Sequence, residues 1–337
     1  MALPPASSGG PPVRGPGSRQ GALDPRLAGL LYGLGAALLA AAPLLGVPFA
    51  AAFGFFASIP IFYVGFAHGP VSAIIAAAAA VVATSVVGGP IAGLALAAGT
   101  AVPAAYAAYL INLARPADEL GGPSGRLAWY PLADVLLRLC VTVALGSIAL
   151  GVAVGYGLEK AQAVITSVLE EAAQTPGALP GGLPPGTDMG DIAAQIAGLL
   201  PLAQPFGAVL ILLACMNIAM RVARARGVLR RPADDMALAL RLPMLGLFAF
   251  GAALLLSFAD GSVGLAARAF TGALAAGFAV AGFALAHLKL RGSPARAPLL
   301  VGLYLVTFLT AGLTIPLMIG FGMFSTARAV PISSPND

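Results

Sequence analysis

The feature that most constrains this fold is an uncharged run that begins at Leu27, ends at Asn112 and contains no Asp, Glu, Lys or Arg. A soluble domain does not leave so long a run uncharged, whereas roughly 20 apolar residues in a helix cross a lipid bilayer. Turn-forming residues divide the run at 43–48, 67–70 and 88–90. The run therefore predicts four closely connected transmembrane helices.

The composition of the whole chain agrees with a protein solvated mainly by lipid. Only 9% of the residues are charged and 59% are hydrophobic, and the mean hydropathy is +0.93. We therefore predict an all-α fold, a polytopic transmembrane helical bundle. Cys140 and Cys215 both lie in apolar segments, which indicates small buried side chains and neither a disulfide nor a metal site.

Nine apolar segments are long enough, or nearly so, to be transmembrane helices. Their approximate bounds are 27–45, 47–67, 70–88, 90–112, 131–156, 202–221, 242–258, 263–288 and 298–323. The seventh is short for a full crossing, and the count falls to eight if it is re-entrant. Together they form a predicted bundle over 26–325, followed by a flexible tail over 326–337.

The first 25 residues are rich in Pro, Ser and Gly, which is typical of a disordered tail. A cleaved signal peptide is the alternative, because arginines precede an apolar run that ends in three alanines at 40–42. We favour an uncleaved first span, since the run is long for a signal peptide and Pro43 would directly follow the cut.

The placement of Lys and Arg predicts the orientation of the bundle. With nine spans, 14 of the 18 basic residues fall on the side of the N-terminus, and only Lys160 and Arg328 fall on the other side. Lys and Arg are retained in cytoplasmic loops, so we expect a multi-pass inner-membrane protein with a cytoplasmic N-terminus. Anionic lipid headgroups are then the expected partner of the basic segments, and nucleic acid is not expected.

Two segments outside the spans have distinctive patterns. Segment 157–201, expected outside the cytoplasm, is acidic and predicts two amphipathic helices joined by a Pro/Gly loop over 175–186. These helices either lie on the membrane surface as a cap or form a lid or docking site. The cytoplasmic loop 221–241 is basic, and it either anchors to lipid or docks a membrane or cytoplasmic protein partner; its candidate contact residues are Arg224, Arg226, Arg230 and Arg231.

Polar residues inside apolar spans are candidate ligand-binding residues, because an ionisable group in the bilayer must be paired, near an end or functional. Asp134 and Arg138 are four residues apart, which predicts an ion pair on one helix face. Asn217 either joins helices or contacts a ligand. Three tyrosines either belong to an interfacial aromatic belt or point into a cavity among the first four helices: Tyr63, Tyr106 and Tyr109.

The sequence lacks the motifs that usually carry chemistry. It contains no phosphate-binding loop, no HExxH and no Cys/His cluster with metal-ligand spacing. The two histidines have no evident serine and carboxylate partners. We therefore expect no enzyme, no cofactor and no metal, and any transport would need an ion gradient or another polypeptide as its source of energy.

The segment from Ile59 to Pro70, IPIFYVGFAHGP, followed by an Ala-rich helix and GGP at 88–90, resembles the early helices of substrate-binding S components of energy-coupling-factor vitamin transporters. Further along, RRP at 230–232, LRLP at 240–243 and the segment 282–287 are similar to the uncharacterised YybS-like integral membrane protein family. The resemblance implies a membrane-embedded fold and a small-molecule ligand. It also implies that Ala36 and Ala40 could match the small-residue face on which S components dock their coupling subunit.

Two functions remain open from the sequence. The first is a binding or transport component for a small molecule, with a cavity among the first six helices. The second is a membrane scaffold or envelope-assembly protein that uses segment 157–201 and the basic loop 221–241 to hold partners.

Overall fold

The computed structural model describes residues 23–45, 50–174 and 188–327. Most of both predicted tails and the Pro/Gly loop 175–186 lie outside these residues. The helices are α1 (Pro25–Ala41), α2 (Ala50–Gly54), α3 (Ser58–His68), α4 (Pro70–Leu96), α5 (Val102–Ile111), α6 (Leu132–Ala153), α7 (Leu158–Gln174), α8 (Met189–Ala225), α9 (Met236–Ala239), α10 (Met244–Leu256), α11 (Gly261–Lys289), α12 (Arg296–Leu309) and α13 (Ala311–Phe324).

The described chain is a bundle of apolar helices, as the sequence predicts. Four helical stretches are long and apolar enough to cross a membrane, and shorter apolar helices accompany them. The long stretches are Pro70–Ile111, Leu132–Ala153, Met189–Ala225 and Gly261–Lys289. The predicted helical class, with helices that could cross a membrane, is therefore confirmed, while the count of nine spans stays a prediction.

The stretch Pro70–Ile111 is a helical hairpin, because the chain reverses at Gly89. This glycine has φ 84° and ψ 168°, a conformation that L side chains rarely adopt. After the reversal, Gly93 packs against Ser85 so closely that a Cβ would collide with its hydroxyl. At the end of the hairpin, Asn112 donates a hydrogen bond of 2.9 Å to the Gly65 carbonyl, next to the start of α4. The predicted turn at 88–90 is confirmed.

The second predicted span, 47–67, corresponds to an apolar helix over Ala52–His68 that contains an irregular turn, which we call the α2–α3 break. Helix α2 ends at Gly54, a turn covers 55–57, and α3 starts at Ser58. Pro60 lies in the first turn of α3, where its missing N–H is tolerated; within a continuous helix it would remove a hydrogen bond to Phe56. The predicted span agrees with this helix over most of its length, and the irregular turn is a detail that hydropathy does not show.

A small β-hairpin interrupts the all-α pattern between α5 and α6. Strand β1 (Ala114–Pro116) pairs antiparallel with β2 (Leu127–Trp129), with Ala114 opposite Trp129. The Tyr130 N–H then donates a hydrogen bond of 2.9 Å to the Leu113 carbonyl, and this bond closes the hairpin beside the start of α6. The sequence analysis did not predict these strands, which are too short to show a period-2 pattern.

Segment 157–201 contains one separate amphipathic helix, not two. Helix α7 forms as predicted, but the second predicted helix is the beginning of the continuous 37-residue α8. Pro201 and Pro205 lie inside α8, where they had suggested a boundary. The two helices pack antiparallel. Gln162 donates a hydrogen bond of 3.1 Å to the Gly190 carbonyl, and Tyr156 donates one of 2.8 Å to the Ala197 carbonyl.

Helix α11 lies at the centre of the second half of the bundle. Its glycines let neighbouring backbones approach, so that a Cβ on Gly272 would collide with the Leu202 carbonyl of α8, and one on Gly282 with the Met318 carbonyl of α13. Most of its apolar window is buried inside the protein rather than facing lipid. This central position was not predicted from its composition.

The last predicted span, 298–323, is also divided. Helices α12 and α13 meet at Thr310, which has φ −130° and ψ 45°. The Thr310 hydroxyl bonds back to the Val306 carbonyl and contacts the Thr314 hydroxyl, both at 2.8 Å, so it competes with the regular helical pattern. Each half is 14 residues, or about 21 Å, shorter than a hydrocarbon core of about 30 Å.

Candidate functional site at the broken helix

A cavity of about 340 Å³ lies between the α2–α3 break, the hairpin and α8. Gly54, Phe55 and Ser58 line it from the break, and Gly99 and Thr100 line it from the hairpin. The side contributed by α8 runs along residues 203–212. The cavity therefore lies where two irregular pieces of backbone face one long helix.

The cavity lies far from the end of α3 along the helix axis. Ser58 is ten residues before the end of α3 at His68, which corresponds to about 15 Å along the helix axis. Half the thickness of a hydrocarbon core of about 30 Å is the same distance. Irregular backbone at such a depth is tolerated where protein buries it or where it borders a polar cavity.

Ser58 and Cys215 contribute polar atoms at the break. Ser58 is fully buried, and its hydroxyl oxygen meets no hydrogen-bond partner of regular geometry among the described residues, although the Cys215 thiol lies beside it. That thiol donates to the Phe55 carbonyl at 3.2 Å and so satisfies one carbonyl freed by the break. The hydroxyl remains available to a small polar ligand or a water molecule.

The opposite wall is a short π-helix, residues Ala97–Ala101, which connects α4 and α5. Its last bond joins the Val102 N–H to the Ala97 carbonyl, five residues earlier. Pro103 explains the widening, because it has no N–H with which to bond the Gly99 carbonyl in a regular α-helix. Single π-turns of this kind are frequent at functional sites, and this one places Gly99 and Thr100 at the cavity.

Gln204 supplies the largest polar group of the lining. Its side chain is exposed, and it makes no hydrogen bond to any residue within the described ranges. The lining residues that the structure describes include Ser58, Thr100 and Gln204 but no ionisable side chain. A charged ligand would therefore lack a counter-charge in a low-dielectric site, whereas a neutral ligand with hydroxyl or amide groups could be hydrogen-bonded.

The candidate ligand residues from the sequence lie elsewhere, near the end of the bundle that carries Arg224, Arg231 and Arg291. We call this the basic end. Tyr63 packs against Tyr32 with the rings tilted by 35° and their centroids 5.3 Å apart, and the Arg226 guanidinium lies 6.0 Å from the Tyr63 ring. Tyr109 is exposed and does not point into an interior cavity. Asn217 is half-buried in α8 and makes no hydrogen bond to the described part of the chain.

The predicted ion pair between Asp134 and Arg138 is not formed. Arg138 instead donates 3.2 Å to the Tyr106 hydroxyl, and its guanidinium lies 5.6 Å from the Tyr130 ring. Tyr130 directly precedes α6, so the arginine side chain reaches back toward the basic end. Asp134 remains in the first turn of α6, where the positive end of the helix dipole favours a carboxylate.

Arg231 belongs to the protein interior and does not present its charge to lipid or a partner. It is 3% exposed and makes two hydrogen bonds to Asp234, of 2.6 and 3.0 Å, and one of 2.8 Å to the Tyr130 carbonyl. It therefore holds the loop after α8 against the start of α6. Arg226 and Arg230 are exposed, and Arg224 is half-buried.

A second ion pair holds the same loop to the end of α11. Arg291 donates to both carboxylate oxygens of Asp235, at 2.6 and 2.8 Å. This bidentate contact holds the pKa of the Asp235 carboxyl below its ordinary value. The loop 221–241 is thus fixed at two adjacent aspartates, a function that the sequence analysis did not assign to them.

The small residues proposed as a docking face are used inside the molecule. Ala36 is fully buried, and Gly33 on the same helix is so close to α4 that a Cβ there would lie 2.8 Å from the Ala79 Cβ. Ala40 is half-buried and packs on the core. Close helix packing was the correct expectation for α1, but its partner is α4 of the same chain.

Sequence reasoning missed Ser58, Thr100 and Gln204 because it ranked polar residues by charge and ring size. Two signals could have found them: Pro60 marks the break beside Ser58, and Pro103 marks the π-helix beside Thr100. Among the residues that the structure describes, no group of three or more His, Cys, Asp or Glu could hold a metal ion. Comparisons of the chain with protein-family models, curated proteins and solved structures found no match.

Proposed function

We propose that this chain is an integral membrane protein that binds a small uncharged molecule in the cavity at the α2–α3 break, as a binding or transport component. The supporting observation is the cavity itself, which combines an interrupted helix, a π-helix and a buried hydroxyl about 15 Å from the end of α3. Interrupted helices that meet near the midplane are a recurring form of substrate site in membrane transporters. The resemblance to S components and to the YybS-like family suggests the same class and stays a prediction.

The volume bounds the size of the ligand. A cavity of about 340 Å³ lies near the lower end of the range of about 300–1,000 Å³ that is typical of ligand pockets. The orientation we propose has the basic end in the cytoplasm, since the exposed arginines lie there. Phe55, Ala203 and Gln204 line the cavity and are exposed, so the cavity opens at the side of the bundle.

The test is mild-detergent purification of the tagged full-length protein, followed by mass spectrometry of the small molecules that remain bound. Two matched variants test the cavity: one places a side chain in it, and the other places the same side chain elsewhere on α8. Gly207 lines the cavity and Gly198 does not, and a Cβ at either position meets nothing within 4 Å. Gly207→Leu should lose the bound molecule, whereas Gly198→Leu on the same helix should keep it. Equal recovery from both variants, or no bound molecule in the unaltered protein, would refute the proposal.

A scaffold is the second candidate, and one observation favours it. None of the residues of α7 is buried, and its apolar residues Val164 and Val168 are 63% and 57% exposed. An exposed amphipathic helix can bind a membrane surface or a partner. Co-purification of envelope-assembly proteins that is lost after Val164→Asp, with no bound small molecule, would establish this function instead.

A further inference from the structure

A second cavity, of about 330 Å³, lies at the end of the bundle opposite the basic end. Its walls are the last turns of α6, residues 147–153, and the first turns of α11, residues 262–269. These walls extend over about 10 Å along each helix, within the depth of one leaflet of a bilayer of about 30 Å. We call it the far cavity, and the cavity at the α2–α3 break the inner cavity.

The far cavity is lined almost wholly by apolar groups. Ile148, Val152 and Leu265 are typical of its surface. Two hydroxyls on its wall are already used within the protein: Ser147 donates 2.9 Å to the Val143 carbonyl, and Tyr156 donates 2.8 Å to the Ala197 carbonyl. Val152 is 77% exposed, so the cavity opens sideways toward lipid.

Gln204 lines both cavities. Its amide lacks a hydrogen bond to the described residues, and an amide in apolar surroundings gains when a ligand supplies the missing bond. A molecule that fills both cavities would place its alkyl part in the far cavity and its hydroxyl or amide part beside Gln204, Thr100 and Ser58. One side chain therefore marks the junction between an apolar and a polar compartment.

We infer that the ligand of this protein is an uncharged amphiphile, a linear alkyl chain that carries a hydroxyl or amide group, which enters from the leaflet through the far cavity. This inference depends on the proposed function and narrows its ligand class. The alkyl chain gains little by leaving lipid for an equally apolar cavity, so selection among amphiphiles depends on the polar group. No ionisable side chain is among the described residues that line the inner cavity, where the polar group would lie, and this selects against the charged head groups of fatty acids and amines.

The experiment uses the full-length protein in phosphatidylcholine nanodiscs and hexadecan-1-ol with a diazirine near the end of its chain. After irradiation, mass spectrometry should locate adducts in residues 147–156 and 262–269. Unlabelled hexadecan-1-ol should compete, whereas hexadecane and hexadecanoic acid should not. Gln204→Leu should lower labelling by about threefold to thirtyfold, the range expected for one hydrogen bond in a membrane protein.

Two phenylalanine variants provide the steric control. Ala266 lines the far cavity, and Ala252 is exposed on α10 away from it. Ala266→Phe should abolish labelling, and Ala252→Phe should leave it unchanged. Labelling that hexadecane competes equally well, or that Gln204→Leu does not change, would indicate adventitious lipid binding and overturn the inference.

The native ligand separates this inference from the proposed function. If the molecule bound to the purified protein is lost in Gly207→Leu but kept in Ala266→Phe, the inner cavity binds a small molecule and the amphiphile inference is wrong. If the molecule is lost in both variants and carries an alkyl chain, the inference is supported. If neither variant changes its recovery, both the proposed function and the inference fail.

Discussion

Replacement of Arg231 by Ala should destabilise the protein more than replacement of its exposed neighbour Arg230. The guanidinium makes three hydrogen bonds of 2.6, 3.0 and 2.8 Å, and it is 3% exposed beside an Asp234 side chain that is 16% exposed. Removing one partner of a buried ion pair costs about 3–5 kcal/mol, because the other charge stays buried without compensation. The partial exposure of Asp234 favours the lower end, about 3 kcal/mol.

Thermal unfolding in mild detergent measures the effect. At roughly 2 °C per kcal/mol for a chain of this size, Arg231→Ala should lower the Tm by about 6 °C. Arg230→Ala is the matched control, because its side chain is exposed and exposed substitutions usually change stability by less than about 0.5 kcal/mol. Double substitution of Arg231 and Asp234 by Ala should cost less than the sum of the single substitutions, since no unpaired carboxylate remains. Equal Tm values for Arg231→Ala and Arg230→Ala would refute the reasoning.

Three further predictions concern the same bundle. The Asp235 carboxyl has a lowered pKa in the folded protein. Its ion pair with Arg291 therefore stabilises the folded protein at pH values above the ordinary Asp pKa of about 3.9, and this stabilisation is lost as the pH falls through the folded pKa. Arg291→Gln should lower the Tm at pH 7 by a few degrees at most, and the difference from the unaltered protein should shrink as the pH falls below about 3.9. A difference that does not depend on pH would contradict this origin. Gly322→Ala should destabilise the protein by about 1–3 kcal/mol, because the new Cβ would collide with the Phe278 carbonyl. Gly320→Ala is the control, because a Cβ there meets nothing within 4 Å. Similar unfolding temperatures for the two variants would count against close α11–α13 packing. A membrane-impermeant thiol reagent should label Arg291→Cys only in inverted vesicles and Glu170→Cys only in intact cells, and the reverse pattern would invert the proposed orientation.

Charge and hydropathy along the chain were sufficient to predict helices long and apolar enough to cross a membrane and much of the helical content. The long uncharged run at 27–112 predicts a helical hairpin, and the Gly-Gly-Pro turn at 88–90 closes it. Helix α6 and the amphipathic α7 also follow from periodicity. These features are local, because each depends on neighbouring residues and on the contrast between lipid and water.

The candidate site depends on contacts between distant parts of the chain. Pro60 and Pro103 signal local irregularities in sequence, but only the folded bundle brings the two breaks to opposite sides of one cavity and adds Gln204 from α8. The choice of partner for Arg138 shows the same limit: helical spacing offered Asp134, whereas packing supplied Tyr106 and Tyr130. Inside a membrane, hydrophobicity drives helices into lipid without selecting their neighbours, so close packing and hydrogen bonding between helices determine which residues meet.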